Sequence, residues 1–231
     1  MITDVGIDLD GVMYDFASVF HEYAQNRLNK ELSIPTTWDF YHEWGLTDAD
    51  FELMLQEGVQ KLRLFDSAPP LNNTIAGWQL LKDNGISIHV LTHRGYIAYE
   101  QTAQWLIKYG LIPDSLHFVK NKTILNIIAK DECAAIDDYP LYYDQYEKAG
   151  ILSFLRTQPW NGEKYARRVG DLMEFAENII AINKHKKALI ELPNNKSKQF
   201  LSDSQFQKQP ITTNPHINTR IQYYKRYWDE K

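Results

Sequence analysis

Val5-Gly6-Ile7-Asp8-Leu9-Asp10-Gly11-Val12 is the stretch from which the fold can be read. Residues 5–9 are short and mostly apolar, as a buried strand requires, and Gly11 supplies the turn that ends it. Two carboxylates, Asp8 and Asp10, therefore fall at the carboxyl end of that strand. Downstream, predicted helices over 73–84, 97–109, 123–130, 141–149 and 171–186 alternate with apolar runs at 86–91, 116–119, 133–136 and 151–155. Gly85, Gly110 and Gly150 stand where three of those helices should stop. Alternation of this kind predicts an α/β, Rossmann-like parallel sheet with helices on both faces.

The stretch after the first strand has a different character. Phe16, Val19, Phe20, Tyr23 and Ala24 share helical spacing over 16–28. Pro35 disfavours helix at Ile34. Thr47 and Asp50 form an acidic relative of the capping box, which starts a second helix running to about residue 62. Ala68-Pro69-Pro70 stops it. We expect a catalytic core over 1–14 and 69–186, a small helical cap over 15–68, and an extension over 187–231. The extension is polar and basic, with eight Lys/Arg against four Asp/Glu, and it ends in the aromatic cluster Tyr223-Tyr224-Lys225-Arg226-Tyr227-Trp228. A short terminal helix is expected there, and that cluster suits docking or self-association better than nucleic acid.

Composition narrows the function classes. The 231 residues are 44% hydrophobic and carry a net charge of −5, which suits a folded soluble surface and argues against general coating of nucleic acid. A local basic pocket stays open. No run is long and apolar enough to span a membrane. One cysteine, Cys133, sits in an apolar run and reads as a small buried thiol; a reducing cytoplasm is the expected location.

Chemistry collects at the predicted strand ends, where open parallel sheets place their sites. The first end carries Asp8 and Asp10, the second Thr92-His93-Arg94, the third leads into Lys120-Asn121-Lys122, and the fourth carries Asp137-Asp138. Attack of a carboxylate on a phosphate anion needs its charge offset, and a hard divalent cation on oxygen ligands does this. A second carboxyl can protonate the leaving oxygen, while a hydroxyl and a lysine bind the phosphoryl oxygens.

Taken together, these residues resemble the four motifs of the haloacid dehalogenase-like superfamily: Asp8-Leu9-Asp10-Gly11-Val12, then Thr92, a lysine ahead of a helix, and Asp137-Asp138. The resemblance runs in order from Asp8 to Asp138 and leaves out the extension. It implies that Asp8 is nucleophile and Mg2+ ligand. Asp10 would be general acid/base, with its backbone carbonyl on the metal. Thr92 and Lys122 would bind phosphate, with Lys120 as the competing lysine. Asp137 would complete the protein ligands, and Asp138 would either orient a metal-bound water or replace Asp137.

Four further features resemble the 5′(3′)-deoxyribonucleotidases and related phage and bacterial proteins. They are the small helical insertion after the first motif, Asn121-Lys122-Thr123 before a helix, Asp137-Asp138-Tyr139-Pro140, and Gln158-Pro159-Trp160-Asn161. Thr92-His93-Arg94 departs from the Thr-Ser-Pro-like residues of the mammalian members. His93 and Arg94 stand open between substrate contacts and loop residues.

Phe16, Trp38, Phe40, Tyr41 and Trp44 either stack on a nucleobase or build the cap's own core. The core is favoured for most of them, with Phe16 as the exception closest to the nucleophile. The expected function is Mg2+-dependent hydrolysis of a nucleotide, a (deoxy)nucleoside monophosphate, through an aspartyl-phosphate. A polynucleotide 3′-phosphatase, supported by Arg94 and the basic extension, and a non-catalytic binding or scaffold module are the alternatives. Homo-oligomerisation stays open.

Overall fold

The computed structural model describes residues 1–162 and 164–191. The chain divides into two units, residues 1–188 and 189–231, and of the second only 189–191 are described. The terminal aromatic cluster lies outside the described residues. In chain order the elements are β1 (Ile2–Ile7), α1 (Phe16–Leu28), α2 (Phe40–Glu43), α3 (Asp48–Leu62), α4 (Thr74–Asp83), β2 (Ser87–Thr92), α5 (Tyr99–Lys108) and β3 (Ser115–Phe118). Then follow α6 (Leu125–Ile128), β4 (Glu132–Asp137), α7 (Pro140–Lys148), β5 (Leu152–Arg156), β6 (Arg168–Val169) and α8 (Leu172–Ile190). Single 3-10 turns, Tyr96–Ala98 and Lys122–Ile124, lead into α5 and α6.

Among the described residues the sheet has six strands in the order β3-β2-β1-β4-β5-β6, all parallel. The chain winds outward from β1 through β2 to β3, then returns to lay β4 on the other side of β1. The strand order thus reverses at β1, which opens a crevice beyond the carboxyl ends of β1, β2 and β4. One face of the sheet packs Val5, Ile7, Val90 and Ile136 with Trp78 of α4, Trp105 of α5 and Phe175 of α8. The other face packs Leu91 and Ala135 with Leu125, Tyr142 and Tyr146 of α6 and α7. Cys133 is buried on that face. Because both faces are covered, β1 is apolar at consecutive positions instead of alternating.

The segment between β1 and α4 builds its own apolar cluster from Phe20, Tyr23, Phe40, Trp44, Met54 and Phe65. Thr47 caps α3 in a full capping box: the Asp50 amide donates to its hydroxyl, and the Asp50 carboxylate accepts from the Thr47 amide. Two elements escape the sequence pattern. α2 has four residues, too few for a period, and β6 has two, held by backbone bonds from Leu155 and Thr157. No helix among the described residues is long and apolar enough to cross a membrane.

Candidate active site

The turn after β1 is built on Gly11. Its φ of 75° lies in the left-handed region, and its amide donates to the Tyr14 carbonyl at 2.8 Å. The Gly11 carbonyl accepts from the Arg156 guanidinium and, at 2.6 Å, from Gln158 Nε2. A Cβ on Gly11 would collide with the Asp138 carboxylate, so the turn and the end of β4 are in close contact.

Asp8, Asp137 and Asp138 are buried together, each offering a carboxylate oxygen within 4.8 Å of the others. Lys122 is buried beside them. Its Nζ lies 2.8 Å from Asp8 Oδ1 and 2.7 Å from Asp137 Oδ2, and 4.2 Å from the centre of the Tyr142 ring. The second oxygen of Asp137 accepts from the Tyr139 amide at 3.0 Å, in the turn that leads into α7. Asp138 Oδ2 accepts from Trp160 Nε1 at 3.1 Å, while Asp138 Oδ1 is buried with no hydrogen-bond partner among the described residues. Asn161 donates to the backbone carbonyls of Asp138 and Arg156 at 2.8 and 2.7 Å and so ties β4 to β5.

The electrostatics follow from this crowding. Burial pushes the Asp8 carboxyl up to about 7 against the pull of Lys122, and Asp137 and Asp10 add to the rise. Burial, with Asp8 and Asp137 nearby, also raises Asp138 well above the usual carboxylate range. Burial works to lower Lys122, yet Asp137 and Asp8 hold its ammonium well above the ordinary value. Were all three carboxyls ionised, a single ammonium would leave two negative charges unbalanced in a desolvated place, which is why their protons are held so tightly without a further cation. An all-oxygen donor set with an orphaned carboxylate oxygen and that deficit fits a hard divalent cation such as Mg2+.

Thr92 is fully buried at the end of β2, and its hydroxyl accepts from the Arg94 amide at 3.1 Å. His93 is exposed, with Nδ1 2.6 Å from the Tyr142 hydroxyl. Lys120 is exposed, so of the two candidate lysines it is Lys122 that meets the carboxylates. Asp10 is half-buried, and its carboxylate is gripped by Arg94 at 2.7 and 2.9 Å. The sequence sets Arg94 against a phosphate or a loop; the fold sets it against Asp10.

Phe16 stacks on Phe20 and Phe65, with ring centroids 5.5 and 5.7 Å apart. Phe40, Tyr41 and Trp44 are buried in the apolar cluster of the segment between β1 and α4. Trp38 instead packs against residues that follow β4 and β5. It stacks on Tyr139 at 3.9 Å and meets the edge of Trp160 at 6.3 Å, beside Asp138. Gln158 and Trp160 belong to the Gln158-Pro159-Trp160-Asn161 segment that carries part of the resemblance, but what they touch, like the contact of Arg156, depends on β5 lying beside β4.

No family model matches the chain. A protein of Chlorobaculum tepidum that bears the provisional name 5′(3′)-deoxyribonucleotidase is 31% identical over an alignment covering 52% of this chain. The chain spans 63% of that relative's length, less than two thirds. Among solved structures, a haloacid dehalogenase-like family hydrolase of Streptococcus pneumoniae superposes with a TM-score of 0.59 at 14% identity, covering 77% of this chain and 98% of that one. A β-phosphoglucomutase of Clostridium difficile gives 0.56 at 18% identity, covering 83% and 100%. An L-2-haloacid dehalogenase gives 0.51 at 14% identity, covering 78% and 100%, so the same architecture serves more than one chemistry. The six-stranded parallel sheet, its strand order and these superpositions identify the chain as a haloacid dehalogenase-like fold.

Proposed function

We propose that the protein is a Mg2+-dependent phosphomonoesterase acting on a nucleotide, a (deoxy)nucleoside monophosphate. One observation carries this reading. A buried cluster of Asp8, Asp137 and Asp138, short of positive charge, sits at the sheet's reversal point next to a second, separately held carboxyl, Asp10. Asp8, Asp137 and Asp138, with the Asp10 backbone carbonyl, would hold magnesium, which would supply the positive charge that lets a carboxylate approach a phosphate dianion.

In this reading Asp8 attacks phosphorus. The ester P–O bond breaks, the phosphoryl group passes to Asp8, and Asp10 gives its proton to the departing nucleoside oxygen. Water then loses a proton to Asp10, attacks phosphorus, and releases inorganic phosphate while restoring Asp8. Thr92 and Lys122 hold phosphoryl oxygens as charge spreads over them. The cap limits water around the reacting groups. Support for a nucleotide comes from the similarity to the Chlorobaculum tepidum protein and from the Trp38–Tyr139 stack at the cap–core junction. A cytoplasmic nucleotide pool is the setting we propose.

The polynucleotide 3′-phosphatase reading loses the support of Arg94, whose guanidinium is committed to Asp10. The retained set of Asp8, Asp10, Thr92, Lys122 and Asp137 argues against a scaffold. The test is hydrolysis of an aryl phosphate with added Mg2+, followed by a panel of ribo- and deoxyribonucleoside monophosphates and sugar phosphates. Turnover should need Mg2+, favour nucleotides and vanish in Asp8→Asn. Undiminished turnover in Asp8→Asn would remove the nucleophile assignment, and a preference for sugar phosphates would remove the nucleotide.

A further inference from the structure

We propose that Arg94 is the positioning residue for Asp10, fixing one orientation of the proton-transfer carboxyl and linking it to the two segments that join cap and core. The catalytic consequence rests on the phosphatase reading above; the pairing itself does not. Arg94 Nε donates to Asp10 Oδ2 at 2.9 Å and Nη2 to Oδ1 at 2.7 Å. Two parallel bonds from a planar fork set the rotation of the carboxylate as well as its place, which a point charge cannot do.

The guanidinium is itself fixed. Nη1 donates to Thr102 Oγ1 at 2.9 Å and to the Phe65 carbonyl at 3.4 Å. Its carbon sits 4.3 Å from the centre of the Phe65 ring and 4.9 Å from that of Tyr14. Only 1% of the side chain is exposed. Tyr14 lies in the segment that leaves the core for the cap, and Phe65 in the one that returns. Tyr14 also donates to the Leu64 carbonyl at 2.6 Å, which closes the junction. The Arg94 amide donates to Thr92, so one turn after β2 both supports the candidate phosphate hydroxyl and holds the candidate acid/base.

Asp10 has to serve as acid in one half-reaction and base in the next. A fixed fork keeps it in one place through both, which acts on turnover and not on ground-state binding. The experiment compares the full-length wild type with Arg94→Met, Arg94→Lys, Asp10→Asn and the Arg94→Met/Asp10→Asn double variant on an aryl phosphate with Mg2+. In Arg94→Met, kcat should fall about 10- to 100-fold with KM within about threefold. Arg94→Lys, which keeps charge but not the fork, should recover part of kcat and serves if the methionine variant does not fold. The double variant should be no slower than Asp10→Asn. A rise in KM, or in the inhibition constant of inorganic phosphate, with kcat retained would make Arg94 a substrate contact and overturn the proposal. Melting temperatures of the wild type, Arg94→Met, Asp10→Asn and the double variant form a cycle that needs no turnover: additive shifts would overturn the pairing. A wild type that turns over no phosphate ester would overturn the phosphatase reading instead.

Discussion

At the scale of single residues, the site depends on groups whose chemistry is set by a neighbour. Asp8 and Asp10 are two positions apart in sequence but sit in opposite surroundings. Asp8 is buried against two other carboxylates and an ammonium, while Asp10 is half-buried and paired with one guanidinium. Gly11 is needed between them and β4 because a side chain there meets both a positive φ and the Asp138 carboxylate. Gly11→Ala should destabilise the fold by about 1–3 kcal/mol and lower turnover at least about tenfold, by strain and by displacing Asp138. Chemical denaturation and the aryl phosphate assay measure the two effects. A stable, fully active alanine variant would show that the turn relaxes freely.

At the scale of elements, a small residue sets how closely two helices approach. Gly77 on α4 faces the start of α8, where a Cβ would come within 2.5 Å of the Leu172 carbonyl carbon and 2.7 Å of the Met173 amide. Those atoms are backbone and cannot swing aside. In an exposed helix, Gly→Ala gains about 1 kcal/mol from propensity. Here the sign should reverse, with Gly77→Ala losing about 1–3 kcal/mol as α4 and α8 are forced apart. Equilibrium unfolding decides it, and a stabilised alanine variant would contradict the close packing. Activity of the folded fraction should be retained, since α4 and α8 carry no candidate site residue.

At the scale of the whole molecule, the acidic cluster links stability, pH and metal. The Asp8 carboxyl is raised from its ordinary value to about 7, and burial raises Asp137 and Asp138 in the same direction. A raised carboxyl binds its proton more tightly in the folded state. Its stabilising contribution is therefore present at low pH and is lost as pH rises through the folded value. Glu57 and Glu132, lowered to about 2 by their cationic partners, act the other way, but their contribution is complete once pH exceeds their unfolded values. Between about pH 5.5 and pH 8 the melting temperature of chelator-treated protein should thus fall from this cluster's contribution. Mg2+ must displace the same protons, so the increase in melting temperature on adding it should grow across that window. A thermal-shift series in chelator and in Mg2+ measures both. An increment independent of pH would separate metal binding from this cluster.

Much of this molecule is written locally. The apolar runs and their glycine stops determine the α/β alternation, because burial on both faces and helix termination are local demands. The order of Asp8, Asp10, Thr92, Lys122 and Asp137 at strand ends is likewise legible, since parallel sheets deliver those ends to one edge. α2 and β6 are not, because four and two residues carry no period. The tertiary structure buries the Lys122 ammonium between two carboxylates and leaves Lys120 exposed, an environment that two lysines two positions apart do not reveal in sequence. It also pairs Arg94, open in sequence between substrate and loop, with Asp10, and brings Trp38 to the Tyr139 stack near Asp138. Those choices depend on where β2, β4 and the cap lie relative to β1, a relation between segments far apart in sequence that no local pattern encodes.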